Sequence, residues 1–140
     1  MTGTPDTHLT GHCLCGEVTY RVPYPFVGEV AHCHCSMCRR AAGSVVVTWF
    51  TIRTKDFELT GKPLKLYKSS EHGERGNCGT CGTPITFTST KFPGMTDVTL
   101  GSLDHPEDFP ADMHIYTASR LPWLVLDAHL PGRAGDPDED

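Results

Sequence analysis

The sequence predicts a mostly β fold with one short helical turn, held together by bound zinc. Its 14 glycines and 11 prolines favour frequent turns over long helices. Short runs of alternating or β-branched residues recur between those turns, as expected for strands. All seven cysteines fall into three clusters, which is the grouping expected of metal ligands.

The strand candidates follow from period-two alternation or from β-branched and aromatic content. The first, residues 17–22, alternates polar and apolar side chains and ends at Pro23. The strongest, residues 45–52, is β-branched and aromatic throughout, which predicts a strand covered on both faces. Four further candidates lie at residues 64–68, 84–88, 98–100 and 113–116.

One segment, residues 36–42, has a helical pattern. We expect Ser36 to cap its first turn, because a serine oxygen can accept a hydrogen bond from a free backbone N–H. We expect Gly43 to end the helix, since glycine adopts the left-handed conformation at little cost.

A single domain is expected over residues 9–132. The chain has 140 residues, and domains commonly contain about 100–150 residues. We expect residues 1–8 to be a flexible lead-in and residues 133–140 to be an acidic disordered tail.

Charge and composition argue against nucleic-acid and membrane partners. The net charge is −5, and metal-bound thiolates would make it more negative, so the surface repels polyanions. No apolar run approaches the roughly 20 residues of a membrane span. The first six residues lack the features of a signal peptide, so seven thiols favour metal ligation in the reducing cytoplasm.

Two cysteine pairs have the spacing of one closed zinc site. In extended backbone, Cys13 and Cys15 would project to the same side, with Leu14 pointing away. Cys78 and Cys81 are separated by two residues, and neighbouring glycines allow the tight turn of a zinc knuckle. Four sulfurs complete a tetrahedral shell, which predicts a structural ion. Buried thiols without a metal are the plain alternative.

The middle cluster offers three sulfurs. Cys33 and Cys35 are expected on one face of an extended segment, with Cys38 one turn later in the helix. Three sulfurs at about 2.3 Å leave one corner of a zinc tetrahedron free for water or substrate. His34 is expected to point away from its flanking cysteines, either beside the site or at the surface. Three distant histidines could alternatively close the site: His32, His105 and His114.

Five segments carry a family resemblance. They are GHCLCGEV at 11–18, HCHCSMCR at 32–39, NCGTCGTP at 77–84, GSLD at 101–104, and HIY at 114–116 leading to a Pro-Trp pair at 122–123. Over residues 11–130 the chain resembles the glutathione-dependent formaldehyde-activating enzyme family. The resemblance implies an Mss4-like β-tent of short antiparallel sheets. It also implies condensation of glutathione with formaldehyde to S-hydroxymethylglutathione, formally a carbon–sulfur lyase reaction run backwards.

The resemblance also assigns roles to the cysteines. The family's structural zinc would be held by its two outer pairs, which are here Cys13, Cys15, Cys78 and Cys81. The catalytic zinc, with one open position, would be held by Cys33, Cys35 and Cys38. The expected cofactor is therefore two Zn²⁺ per chain. One departure is Asn77, where family members often have an aromatic residue, and this affects packing around the closed site.

Substrate contacts are predicted from the chemistry of glutathione, which carries two carboxylates. Arg39 matches the family motif and is the preferred substrate-binding cation, with Arg40, Lys68 and Arg75 as further candidates. Trp49 is a candidate wall of the substrate cavity, and a plain core position is the alternative.

Three hypotheses for the function follow. The first is a zinc-dependent carbon–sulfur lyase that forms or cleaves an adduct between a small thiol, such as glutathione, and an aldehyde. The second is a non-catalytic zinc-binding scaffold or partner-binding module, which needs only the closed site. The third is a redox or metal-storage protein that uses the three middle cysteines as exchangeable thiols.

Overall fold

The computed structural model describes residues 7–135. Within them the chain forms ten strands, one helix and four short 3-10 turns. The helix α1 spans Ser36–Ala42. The strands, in chain order, are β1 His8–His12, β2 Thr19–Pro23, β3 Ala31–Cys33, β4 Val47–Arg53, β5 Glu58–Leu59, β6 Lys65–Lys68, β7 Gly73–Asn77, β8 Pro84–Ser89, β9 Met95–Thr99 and β10 Met113–Ile115. The predicted mostly β fold is confirmed.

The strands form two sheets. The small sheet is antiparallel, in the order β1-β2-β5. The large sheet has the order β10-β3-β4-β9-β8-β7-β6 and is antiparallel apart from the pair β10–β3. That parallel pair places His114 opposite His32 and Ile115 opposite Cys33.

Strand β4 is covered on both faces, as predicted. Phe50 and Ile52 point into the core that the large sheet shares with Tyr20 and other residues of the small sheet. Val47 and Trp49 point to the opposite face, where they pack with Cys38 of α1. Because successive strand residues alternate in direction, this one strand contributes to both cores.

Helix α1 occupies the predicted range, but its start differs from the prediction. Gly43 ends the helix in the left-handed region, at φ 63°, as expected. The cap position is held by Cys35, which makes no side-chain capping hydrogen bond, and Ser36 already lies within the helix. Ser36 as the cap is therefore wrong, because the N–H of Arg39 donates to the carbonyl of Cys35 at 3.0 Å, so the first helical hydrogen bond begins at Cys35.

All six predicted strands overlap observed ones. The segment 98–100 was placed too late, since β9 begins at Met95 and Leu100 starts a 3-10 turn. Strands β1, β3, β5 and β7 were not predicted. They are short, or they contain glycine and charged residues in place of an alternating apolar pattern.

Both ends of the described range form backbone hydrogen bonds with the rest of the domain. Strand β1 begins at His8, and the backbone N–H of Arg133 donates to the carbonyl of His114 at 3.0 Å. Residues 1–6 and 136–140, which make up most of the predicted lead-in and tail, lie outside the described residues. No helix between residues 7 and 135 is long and apolar enough to cross a membrane.

Gly11 in β1 gives a test of this packing. A Cβ there would overlap the ring of Tyr20 and would lie 2.6 Å from the carbonyl oxygen of Ser102. Tyr20 is buried and its hydroxyl pairs with Ser102 Oγ at 2.6 Å, so it has no room to move. We expect Gly11→Ala to lower the free energy of unfolding by about 1–3 kcal/mol, the usual cost of overpacking. Urea unfolding measures this.

The control is Gly101→Ala, because a Cβ at Gly101 would meet no atom within 4 Å. Equal stability of the two variants would contradict the packing described for Gly11.

Candidate metal centres

Four cysteine sulfurs converge where the ends of β1 and β7 meet. Their ligand atoms all lie within 4.8 Å of one another. The Sγ atom of Cys15 is 3.6 Å from that of Cys13 and 3.7 Å from that of Cys78. Sulfurs around a tetrahedral zinc with bonds of about 2.3 Å are about 3.8 Å apart. The four cysteines can therefore hold a zinc ion with little rearrangement.

Tight turns bring both pairs together. Gly16 has φ 82° and donates its N–H to the carbonyl of Cys13 at 3.1 Å. Cys13 and Cys15 thus lie in a turn, and the predicted extended backbone is wrong there, although Leu14 does point into solvent with 87% of its surface exposed. At the second pair, Gly82 has φ 84° and donates to the carbonyl of Cys78 at 3.0 Å, as a zinc knuckle requires.

Backbone N–H groups donate to two of these sulfurs. The N–H of Val18 donates to the Cys13 sulfur, and those of Thr80 and Cys81 donate to the Cys78 sulfur, each at 3.3 Å. Hydrogen bonding to Thr83 lowers the pKa of the Cys81 thiol to about 5. Cys13 and Cys78 are buried in the shared core, where a thiolate needs a neighbouring cation. Four sulfur donors fit Zn²⁺.

Polar contacts reinforce the link between the two sheets at this centre. The N–H of Leu14 donates to Thr83 Oγ1 at 3.1 Å, and Thr80 Oγ1 donates to a Glu17 carboxylate oxygen at 2.6 Å. An ion bound here would therefore join the small sheet, through Cys13, to the large sheet, through Cys78.

The three middle cysteines lie together but less tightly. The Cys33 and Cys38 sulfurs are 3.5 Å apart and buried, and hydrogen bonding to Cys38 raises the pKa of the half-buried Cys35 thiol. Across residues 7–135, the four-cysteine cluster is the one group of potential ligands that all lie within 4.8 Å of one another. Binding of one ion by all three sulfurs therefore requires the Cys35 sulfur and the Cys33–Cys38 pair to come closer together.

The histidines that could have closed this site are engaged elsewhere. His32 pairs through Nδ1 with Thr48 at 2.7 Å and through Nε2 with the Asp127 carboxylate at 2.8 Å. His114 pairs through Nε2 with the Asp127 carbonyl at 3.0 Å, and its Nδ1 faces His34. His105 is exposed and pairs with Glu107. None of these three closes the site in this structure.

His34 is fully buried, which excludes the surface position among its two expected places, and its ring lies against that of His114. The Asp127 carbonyl can only accept, so His114 Nε2 carries a proton and its Nδ1 accepts from His34 Nε2 at 2.8 Å. Burial, with His114 nearby, lowers the pKa of His34 to about 4. His34 is thus neutral, and its Nδ1 has no hydrogen-bond partner among the described residues.

A cavity of about 630 Å³ opens beside the triplet, between α1, β4 and strands β6 to β8. Cys38 forms part of its wall, as does Trp49, which is 7% exposed and also packs in the core behind it. The wall carries three cations: Arg40, Lys65 and Arg75. Arg39 is not among the lining residues, and its Nη1 donates to the carbonyl of Ser119 at 3.3 Å.

The model of one protein family, described as the glutathione-dependent formaldehyde-activating enzyme, matches residues 8–119. The chain belongs to this family. The matched range contains all seven cysteines, Arg75 and His114, and it ends before Asp127.

A solved structure of a Rhodobacter sphaeroides protein resembles this member of the family in fold. The TM-score is 0.58 and the sequences are 20% identical, with 89% of this chain and 99% of the other covered. At that identity the likeness concerns the fold. A comparison with curated proteins found no match.

Two features of the site were beyond the sequence motifs of the family. Asp127 lies in a loop outside every motif, and no local pattern indicates that it contacts both His32 and His114. Lys65 falls in a predicted strand and is not among the candidate cations, whereas Arg40 and Arg75 are. The assignment of Arg39 to substrate binding stays a prediction.

Removal of one sulfur tests the four-cysteine centre. We expect Cys78→Ser to lose one zinc equivalent per chain and several kcal/mol of stability, because structural zinc contributes about 10–16 kcal/mol of binding free energy in zinc-finger peptides. Metal analysis and thermal unfolding measure the two effects. Thr80→Ala, which removes only the hydroxyl that contacts Glu17, should keep the metal. Wild-type zinc content in the serine variant would refute the assignment.

The histidine pair gives a second prediction. His114→Phe removes the acceptor of the buried His34 N–H, which should cost about 1–3 kcal/mol. In the double variant, His34→Phe with His114→Phe, the unpaired N–H of His34 is removed as well. The losses of unfolding free energy in the two single variants should therefore not add up to the loss in the double variant. A double-mutant cycle by chemical unfolding should give a coupling energy of about 0.5–3 kcal/mol. Strict additivity would contradict the deduced hydrogen bond.

Proposed function

We propose that this protein is a zinc-dependent carbon–sulfur lyase that forms or cleaves the adduct of a small thiol and an aldehyde, such as S-hydroxymethylglutathione. The observation that carries the proposal is the position of Cys38. Its buried side chain belongs to the cysteine triplet and also lines a cavity large enough for a small substrate. Membership of the family supports the reaction class.

The proposed catalytic ligands are Cys33, Cys35 and Cys38. When bound there, Zn²⁺ would supply a cationic centre that stabilises a substrate thiolate or polarises a carbonyl oxygen. The neighbouring imidazoles of His32 and His114 use both ring nitrogens in other hydrogen bonds. The triplet would thus offer three ligands and keep one position for substrate.

The other residues of the cavity suit an anionic thiol. Lys65 would hold a carboxylate group, and Trp49 would cover an apolar part of the substrate. In the forming direction the thiol sulfur bonds to the carbonyl carbon, and the electron pair of the C=O π bond moves to oxygen. The proton lost by the thiol ends on that oxygen, and cleavage reverses each change.

A second candidate function is a non-catalytic zinc scaffold with one bound ion. It is favoured by the tighter gathering of the four outer cysteines, in contrast to the looser triplet. Zinc content separates the two candidates, because the lyase needs two ions per chain and the scaffold needs one.

Cys35→Ser tests the lyase. We expect catalysed adduct formation to fall by at least about 100-fold, since even the hydrogen-bond partners of metal ligands are worth about 10–100-fold. Exchange NMR with glutathione and formaldehyde measures the rate above the uncatalysed background. The variant should keep the other zinc and its folded state. Full activity in Cys35→Ser, or none in wild-type protein carrying two zinc ions, would exclude the proposal.

A further inference from the structure

We propose that Arg75 is a positioning residue for the cysteine triplet: by holding the Cys38 sulfur, it makes an ion bound there prefer a thiolate as its fourth ligand. The inference rests on the proposed function, because it requires an ion at Cys33, Cys35 and Cys38. It concerns the selectivity of that centre for the incoming ligand.

The first observation is a fork of two N–H groups on one sulfur. Arg75 donates through Nη1 at 3.7 Å and through Nη2 at 3.6 Å to the Sγ atom of Cys38. A guanidinium is charged at every physiological pH, and its planar donors suit such two-pronged contacts. None of the ion pairs between residues 7 and 135 involves Arg75. Among the described residues, the Cys38 sulfur is therefore the group that accepts its side-chain N–H bonds.

The second observation is that the guanidinium is oriented by the sheet. Arg75 lies in the middle of β7, directly opposite Phe87 of β8 and Tyr67 of β6. Its guanidinium carbon is 4.8 Å from the centroid of the Phe87 ring, within the range of a cation–π contact. Phe87 in turn packs against Trp49, with ring centroids 6.3 Å apart. Both neighbouring strands hold the backbone, so the fork does not depend on a mobile loop.

Arg75 differs in this respect from the other cations of the cavity. Arg40 and Lys65 line the same space, but neither is hydrogen-bonded to a sulfur in the described part of the chain. Arg40 is thus a natural control, because its loss removes one positive charge from the cavity and leaves the Cys38 sulfur untouched.

The net charge of the proposed three-cysteine centre explains why a cation beside Cys38 would affect the binding of a fourth ligand. Three thiolates around Zn²⁺ leave a net charge of about −1, and a thiolate substrate would bring it to about −2. A guanidinium beside one ligand offsets that repulsion. Its hydrogen bonds also draw charge from the Cys38 sulfur, so the sulfur donates less to the ion and the ion binds a further anionic ligand more strongly.

Thiol binding to the cobalt-substituted protein tests the inference. The probes are 2-mercaptoethanol, which has no carboxylate, and 3-mercaptopropionate, which has one. Binding is followed by the sulfur-to-cobalt charge-transfer absorption. The four-cysteine centre is saturated and should not respond. We expect Arg75→Gln to weaken binding of both thiols by a similar factor, about tenfold or more. The absorption of the triplet centre should also move to lower energy, because its sulfurs become richer in electrons.

Two further variants complete the comparison. Arg40→Gln should leave the affinity for 2-mercaptoethanol and the absorption at wild-type values. Arg75→Lys keeps the charge and loses the fork, so its affinities should lie between those of the wild type and of Arg75→Gln. If Arg75→Gln fails to fold, Arg75→Lys still decides between the outcomes. Weaker binding of both thiols in this variant supports the proposal, and wild-type affinities and absorption refute it.

The outcomes separate this inference from the proposed function. Loss of binding for 3-mercaptopropionate alone would make Arg75 a carboxylate contact and would overturn the inference. Wild-type behaviour of Arg75→Gln would overturn it too, and the lyase proposal would stand. A wild-type protein that binds no second cobalt ion would overturn both.

Discussion

A charged sulfur inside a protein needs a cation beside it, and this requirement governs both cysteine centres of the domain. Cys13 and Cys78 lie in the core shared by the two sheets. Backbone N–H groups donate to both sulfurs, and a Zn²⁺ ion bound by four thiolates would neutralise half of their charge. Such an ion would also join β1 to β7, and hence the small sheet to the large one. At the triplet, Cys38 is buried as well, but there a protein cation, Arg75, lies against the sulfur.

The two centres are coupled through β7. Arg75 lies in this strand, and Cys78 follows it directly. The same short segment therefore contacts the triplet through Arg75 and contributes Cys78 to the four-cysteine centre. Strand β7 contains Gly73 and Gly76 and has little intrinsic preference for a strand. It is held by pairing with β6 and β8, and an ion bound by Cys78 would hold its end as well. Weakening of the closed centre should therefore loosen the segment that aims the Arg75 guanidinium.

Local patterns in the sequence were enough for some of these features and not for others. The helix at 36–42 and the strand around 45–52 were predictable, because a terminal glycine and an unbroken β-branched run are local signals. The grouping of cysteines into two centres followed from spacing and family resemblance. Strand β7 was not predictable, because its strand form depends on partners on either side. The same holds for Asp127, which meets His32 across 95 positions of the chain.

Asp127 engages two of the histidines that could otherwise bind an ion at the triplet. Its backbone has φ 46°, in the left-handed region, which aspartate adopts more readily than most residues with a side chain. That conformation presents the carboxylate to His32 and the carbonyl to His114. Each imidazole is thereby held by hydrogen bonds on both ring nitrogens and has no lone pair left for a metal. A loop outside the cysteine motifs thus keeps these two histidines from serving as the fourth ligand of an ion proposed at the triplet.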